Sequence, residues 1–453
     1  MNEGHFIRIL GRRDVLLMSF GAMIGWSWVM MSGEWVSRAG SLGAMIAFAI
    51  GGVAVILISL TYAELASAMP KAGGEHVYSH RALGFGGSFV CTWALVLAYL
   101  SVTSFEAVAL PTVMSYLFPD FSQGYLWTIA GWDVTATWVG MGVLGSLVMS
   151  WINIVGIKPA AVFQSIVTLF IMAVGVMFFT GSGVSGDVAN MDPLFVGGAV
   201  GVMGVLIMVP TMFIGFDIIP QSAEEIDLPF GEIGKVLVVS VIMAVLWYVF
   251  IILGVSLAFD GAEMAAADMV TADANAKMFG GNWAGTLLVL GGLAGILSSW
   301  NAFVLGASRA LYAMAHSGML PAFLGHLHPT HNTPRNAILL VGVLSCLAPF
   351  FGRPVLVWLI DAGSFSVVIA YGMVAVSFLA LRKREPEMER PYKVRHGNLV
   401  GYGALTLSVG MLFLYVPGSP AGLIWPHEWA IVIGWVVLGI VFRLTASGKP
   451  SAS

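Results

Sequence analysis

Charge is what this chain has least of. Only 10% of its 453 residues are Asp, Glu, Lys or Arg, where a soluble domain carries roughly 25%. Hydrophobic residues make up 58%, and the mean hydropathy is +0.90. A water-soluble globular domain is excluded, and a polytopic membrane protein is indicated. Cysteine is almost absent. Cys91 and Cys346 both lie in apolar segments, which excludes a disulfide framework and leaves two free core thiols. Basic residues are few and scattered, so nothing here would grip a nucleic acid. No nucleophile–base pair or metal triad falls within the apolar runs, so an enzyme is not expected, nor any cofactor. No ring of like residues suggests a channel filter. A cleavable leader is not evident either. Arg12 and Arg13 precede an apolar run that continues too far and has no clear cleavage site, so that run is expected to be a retained span.

What is present is a series of apolar runs, each about 20 residues and so long enough to cross a bilayer. They fall at roughly 15–38, 42–69, 86–118, 134–155, 159–181, 196–222, 234–259, 283–315, 336–351, 354–381, 400–417 and 428–446. The expectation is an all-α protein of 12 transmembrane helices forming one domain over 1–453. The third and eighth runs are long, which predicts tilt. With an even number of spans, Lys and Arg divide 17 to 3 between the two sides, the 17 falling on the side of the termini. By the positive-inside rule the termini are cytoplasmic, in the plasma (inner) membrane. Residues 260–282 form the largest outer loop and are expected to carry a short surface helix. The tail from Ala446 to Ser453 is small and polar and is expected to be disordered.

Two runs are interrupted. The first contains Gly21-Ala22-Met23-Ile24-Gly25-Trp26-Ser27-Trp28, with glycine and serine where Leu or Ile would serve a helix better. The sixth contains Pro210-Thr211-Met212-Phe213-Ile214-Gly215-Phe216-Asp217-Ile218-Ile219-Pro220. A broken backbone at membrane depth is tolerated only where it lines a protein-enclosed cavity. Each break opens a set of five spans, 15–181 and 196–381. A set of five starts on one side and ends on the other, so the second set is inverted; spans in 400–446 follow. Paired breaks in inverted halves mark a transporter binding site. The plainer alternative is two kinked packing helices. In the site reading, a half-helix starting near Ser27 offers N–H groups to a carboxylate, and one ending near Phe213 offers carbonyls to an ammonium. Trp26, Trp28, Phe213 and Phe216 can close over the solute, or pack against lipid or core.

These residues resemble the amino acid–polyamine–organocation transporter superfamily. Gly21 to Gly25 resembles its first-span glycine motif. Tyr62-Ala63-Glu64-Leu65-Ala66-Ser67-Ala68-Met69-Pro70-Lys71-Ala72-Gly73-Gly74 resembles its signature after the second span. Asn153 to Lys158 is similar to its entry to the fifth, and Phe213 to Asp217 with Ala223-Glu224-Glu225-Ile226 to its sixth. Ser308 to Ala315 with Gly318-Met319-Leu320-Pro321 is similar to its exit from the eighth. The resemblance runs from about residue 11 to 395 and implies a five-plus-five inverted repeat, two extra helices and alternating-access transport of amino acids or amines. The chain departs from the family in three places. Trp26-Ser27 stands where Ser-Gly is usual, which reshapes the carboxylate pocket. A lysine common within the fifth span is replaced by Ile171. Glu34 and Glu106 stand at usually neutral positions.

Glu106 lies mid-span, where a charge costs at least ~2.5–3.5 kcal/mol on insertion scales. It can carry the coupling proton or bind a substrate ammonium; a hydrogen-bonded structural carboxyl is the plainer alternative. Glu34, with Arg38 one turn on, is a surface i,i+4 pair or an outer gate. Asp217 is expected to cap the second half-helix beside the site. Asp361 is expected to gate or to cap a local break. Glu64, Glu75, Glu224 and Glu225 are expected to anchor the inner face, with Lys71, Arg81 and Arg309 as partners. A sodium ion near Gly21, Ala22, Ser298 and Ser299 is open, against ordinary interhelical hydrogen bonding. His316, His326, His328 and His331 read as a solvated loop rather than a metal set. The candidate substrate-binding set is Ala22, Met23, Ile24, Gly25, Trp26, Ser27, Trp28, Glu106, Thr211, Phe213, Ile214, Gly215 and Phe216. The expected function is secondary active transport of a small amino acid or organic amine, coupled to H+ through Glu106. An exchanger, a Na+ symporter and a non-transporting sensor of the same fold are the alternatives.

Overall fold

The computed structural model describes residues 6–267, 269–419 and 422–446. The tail beyond Ala446 lies outside the described residues. The first run is not one helix. It forms α1 (Arg12–Met23), α2 (Ser27–Met30) and α3 (Ser32–Ala39). Next come α4 (Ser41–Ala68) and α5 (Glu75–Leu117). The third run was expected from residue 86, yet α5 begins eleven residues earlier. Its first turns are polar, so hydropathy passes over them, and the backbone bends at Gly84, where φ is +72°.

A feature the sequence did not announce follows. β1 (Tyr125–Ile129) and β2 (Trp132–Thr135) form an antiparallel hairpin on the face opposite the N-terminus. Its tip, Ala130-Gly131, has positive φ at both positions (+47° and +79°), as a tight hairpin turn requires. Helices α6 (Ala136–Val155) and α7 (Ile157–Ser185) follow.

The sixth run breaks as the first does, into α8 (Gly198–Leu206), α9 (Val209–Met212) and α10 (Ile218–Gln221). After α11 (Phe230–Ala258), the loop at 260–282 folds into α12 (Gly261–Ala266) and α13 (Val270–Phe279), where one short surface helix was expected. The remainder is α14 (Asn282–His316), α15 (Arg335–Leu347), α16 (Val355–Arg384), α17 (Gly397–Leu414) and α18 (His427–Thr445). Among the described residues, nine helices are long and apolar enough to cross a membrane. The other three expected runs are the two interrupted ones and α15, which is short. α16 is continuous through Asp361, so the local break expected there does not exist.

α5 runs along α14 and α16, and α4 packs on α11. The end bearing the N-terminus is tied by buried charge and backbone pairing. Leu10 pairs with Ile226 in a parallel bridge, with the Leu10 N–H on Glu225 O at 2.9 Å. Glu225 takes two hydrogen bonds from the Arg309 guanidinium, at 2.8 and 3.1 Å, with both side chains almost fully buried. Glu64 binds Arg382 and Arg390, neither of them among the expected partners Lys71, Arg81 and Arg309, and Arg81 pairs with Glu385. Replacing Glu225 by Ala leaves a buried guanidinium without its carboxylate. The expected loss is about 3–5 kcal/mol, read as a lower unfolding midpoint of the purified protein in detergent. An unchanged midpoint would show that water or another group replaces the carboxylate.

Candidate functional site

The two breaks meet. Gly215 has φ +134°, and a Cβ placed on it would lie 2.8 Å from Ala22 Cβ and 3.0 Å from Met23 N. Glycine is required there both by conformation and by space. The first break is stitched from the side by Tyr248 of α11. Its hydroxyl donates to Met23 O at 3.0 Å and sits 3.1 Å from Ser27 Oγ. One phenol thus spans the gap where α1 ends and α2 starts, restoring a bond the broken helix cannot make. No side chain caps α2. Thr271 of α13 holds the far side, donating to Trp28 O at 2.9 Å.

Above the breaks lies a cavity of about 960 Å³ that opens toward the face opposite the N-terminus. Ala22, Met23, Gly25, Trp26, Ser27, Thr211, Ile214, Glu106 and Ser299 line its deeper part, with Tyr248. Glu34, Arg38, Trp132, Arg353 and Asp361 line its outer part. The walls are mostly apolar, with a few convergent polar groups, the usual composition of a small-molecule site. Glu106 is buried on α5. Ser299 Oγ donates to its Oε1, and Oε2 has no partner. A Cβ on Gly25 would stand 3.5 Å from that Oε1, so the carboxyl lies directly against the first break.

Not every expected residue faces this space. Ile24, Trp28, Phe213, Gly215 and Phe216 are buried behind it. Trp28 packs edge-on to Trp247 at 5.4 Å, and Phe213 to Tyr248 at 5.4 Å. Phe216 stacks with Tyr371 at 5.4 Å. Trp26 does face the cavity, its ring seated on Gly292 of α14. Asp217 does not cap α10. Its Oδ1 turns back to accept Gly215 N–H at 2.9 Å, and Oδ2 accepts the Tyr99 hydroxyl at 2.6 Å. Glu34 and Arg38 form the i,i+4 pair, both about half exposed at the mouth.

Of the sodium candidates, Ser298 lies against Gly21, where a Cβ would collide with its Oγ, while Ser299 points elsewhere. Ser299 turns to Glu106, while Ser298 turns to Gln164, whose Nε2 donates to its Oγ at 2.6 Å. Ser298, Thr168 and Gln164 crowd Gly21, two hydroxyls and an amide that hydrogen-bond one another. Asn301 and Asn153 extend the same neutral network. Among the loop histidines, His328 Nδ1 accepts the N–H groups of Thr330 and His331, which is a turn contact.

The amino acid permease profile matches residues 10–441. The chain belongs to this family. It is 26% identical to a branched-chain amino acid permease of Bacillus subtilis over 98% of its own length and 94% of the relative. It is 24% identical to a methylthioribose transporter of the same organism over 98% and 94%. It is 26% identical to that organism's aspartate-proton symporter over 88% and 78%. The superfamily membership expected from the glycine, second-span and sixth-span motifs is thus established.

Sequence reasoning missed Tyr248 and Ser299's bond to Glu106. Tyr248 sits in an apolar run with no neighbouring polar signal, and only a break 225 positions away gives it a role. For this permease, Tyr248→Phe leaves the Met23 carbonyl buried without its donor, an expected cost of about 1–3 kcal/mol. Hydrogen exchange of a peptide covering residues 21–30 is expected to accelerate. Unaltered protection would mean the hydroxyl is dispensable.

Proposed function

We propose that this permease is a proton-coupled secondary active transporter of a small amino acid or organic amine. It works by alternating access in the plasma membrane, with both termini cytoplasmic. The observation that carries the proposal is Glu106. It is a buried carboxyl on the cavity wall, against the broken backbone at Gly25, with one oxygen unpartnered. A proton is the smallest charge that satisfies it, and the bond from Ser299 keeps it aimed at the cavity. In the neutral Gln164–Ser298–Thr168 cluster the hydroxyl of Ser298 is already taken by the Gln164 amide, which supports H+ over Na+. A relative named as an aspartate-proton symporter supports the same choice. These relatives are named for different cargoes, which supports assigning cargo to cavity side chains rather than to the shared backbone.

Twelve spans in a five-plus-five inverted repeat, 15–181 and 196–381, supply the moving parts. α1 to α3 and α8 to α10 are the broken members, and 400–446 adds two helices. The substrate carboxylate sits at the start of α2, where leading N–H groups carry the positive helix end. Its ammonium faces the Ile214 side and Glu106. Glu34, Asp217 and Asp361 belong to the gates on either side.

In proteoliposomes, a pH gradient is expected to drive accumulation. Glu106→Gln is expected to lose that drive while still exchanging substrate across the membrane. If the variant accumulates as fully as the parent, Glu106 is not the coupling group. Trp26→Ala removes a ring from the cavity wall and is expected to admit bulkier side chains. A pocket methylene changes discrimination by about 1–3 kcal/mol, so competition by a graded series of amino acids should shift toward the larger ones. An unchanged order would assign selectivity elsewhere.

A further inference from the structure

A second carboxyl has no counter-charge. Glu75, the first residue of α5, is fully buried on the closed side of the breaks. Gln221 of α10 donates its amide to Glu75 Oε2, while Glu75 Oε1 has no partner. Neither does Gln221 Oε1, nor the hydroxyls of Tyr78 and Tyr371, while the Tyr62 hydroxyl lies close enough to Glu75 to donate to it. Tyr62 from α4 and Tyr371 from α16 face Glu75, as does Tyr78 one turn along α5. The remaining titratable neighbours are Cys91 and Tyr99 of α5 and Asp217 at the second break.

Among the described residues no ion pair reaches Glu75. Arg309 is taken by Glu225, and Arg382 and Arg390 by Glu64. The ring of His76 is turned to Ser317 at 2.7 Å and to Thr92 and Ser88. Gln221 Oε1 and the hydroxyls of Tyr78 and Tyr371, buried with unmet hydrogen bonds near one carboxyl, are the composition of a hydrated pocket, since buried water gathers where several such groups converge. An ionised carboxylate there would lack any compensating charge, so the neutral form is the one this pocket accommodates.

Position gives the pocket its consequence. Gln221 belongs to the short helix that follows the Gly215 break. Its backbone carbonyl accepts Gly73 N–H at 3.3 Å, and a Cβ on Gly74 would meet Pro220 Cβ at 2.7 Å. Any parting of α10 from the start of α5 therefore opens Glu75 to water.

We propose that Glu75, held by Gln221 and ringed by Tyr62, Tyr78 and Tyr371, is a second proton-binding site of this permease, distinct from the cavity carboxyl Glu106. It holds a proton while this side is closed. When Gln221 moves away, the Glu75 O–H bond breaks, the proton passes to entering water as hydronium, and a solvated carboxylate remains. The proposal rests on the alternating-access, proton-coupled function above and extends it to the exit side.

The test is infrared spectroscopy of the full-length protein in lipid at neutral pH, reading the carbonyl band of protonated carboxyl groups. Glu75→Gln is expected to lose one component of that band, and Glu106→Gln is expected to keep it. A band identical in Glu75→Gln and the parent overturns the proposal. If Glu75→Gln does not fold, Gln221→Leu removes the amide bond to Glu75 and is expected to shift the same component; no shift overturns it equally. The measurement is repeated in sodium, potassium and choline chloride. Loss of the component in sodium or potassium alone would assign the pocket to a metal cation and overturn the proton site. Proton coupling is read separately, as uptake by the parent protein under a pH gradient. Its absence would refute the coupled function and leave the Glu75 band standing.

Discussion

The contact between Gly215 and the Ala22–Met23 peptide holds the centre of this molecule together. Two helices stop at the same depth, and each exposes backbone that an apolar medium cannot satisfy. The structure answers by pressing the breaks against each other and against a few polar side chains. A residue with a Cβ at 215 would push them apart. Tyr248 supplies the hydroxyl that the first break lacks, and Asp217 accepts the N–H that the second leaves free. Everything that makes the cavity chemically interesting follows from this arrangement, because peptide groups left out of helices become available to a solute.

The carboxylates divide by how this protein treats them. Glu64 and Glu225 are buried but fully paired with arginine, which ties helices together at one end. Asp217 is buried and satisfied by neutral donors. Glu106 and Glu75 are buried with neither a counter-charge nor a full set of hydrogen bonds. Paired charges are fixed struts, since separating them in low dielectric is costly. Unpaired ones stay buried only by carrying a proton or by meeting a ligand or water. Their placement, one against the cavity and one below the breaks, puts an unpaired buried carboxyl on either side of the interrupted backbone.

Much of the fold was legible in the sequence. Long apolar runs located the long helices, most of them to within a few residues, because hydropathy integrates over many positions. The breaks at Gly25 and Gly215 were legible because glycine, proline and aspartate are out of place at membrane depth. Legibility ended where geometry took over. The hairpin at 125–135 escaped because its strands are short and its tip, Ala130-Gly131, is a weak turn signal. The early start of α5 escaped because its first turns are polar. Among the aromatic residues, composition did not say which face of a helix each one would take. Trp26 turned to the cavity, while Trp28, two positions on, went to the core against Trp247.

The sequence by itself determined that this chain lies in a membrane, that two of its helices are interrupted, and that Glu106 stands at a depth where charge is expensive. Those are properties of residue type and local order, and hydropathy and backbone propensity act locally. Only the tertiary structure decided which polar groups find each other. Ser299 turns to Glu106 and its neighbour Ser298 to Gln164; Glu64 takes Arg382 and Arg390 from beyond the tenth run; Glu75 meets Gln221 and no cation. These partners lie from 134 to 326 positions apart. No local pattern encodes such pairings, which arise from helices packing at fixed rotations about their axes.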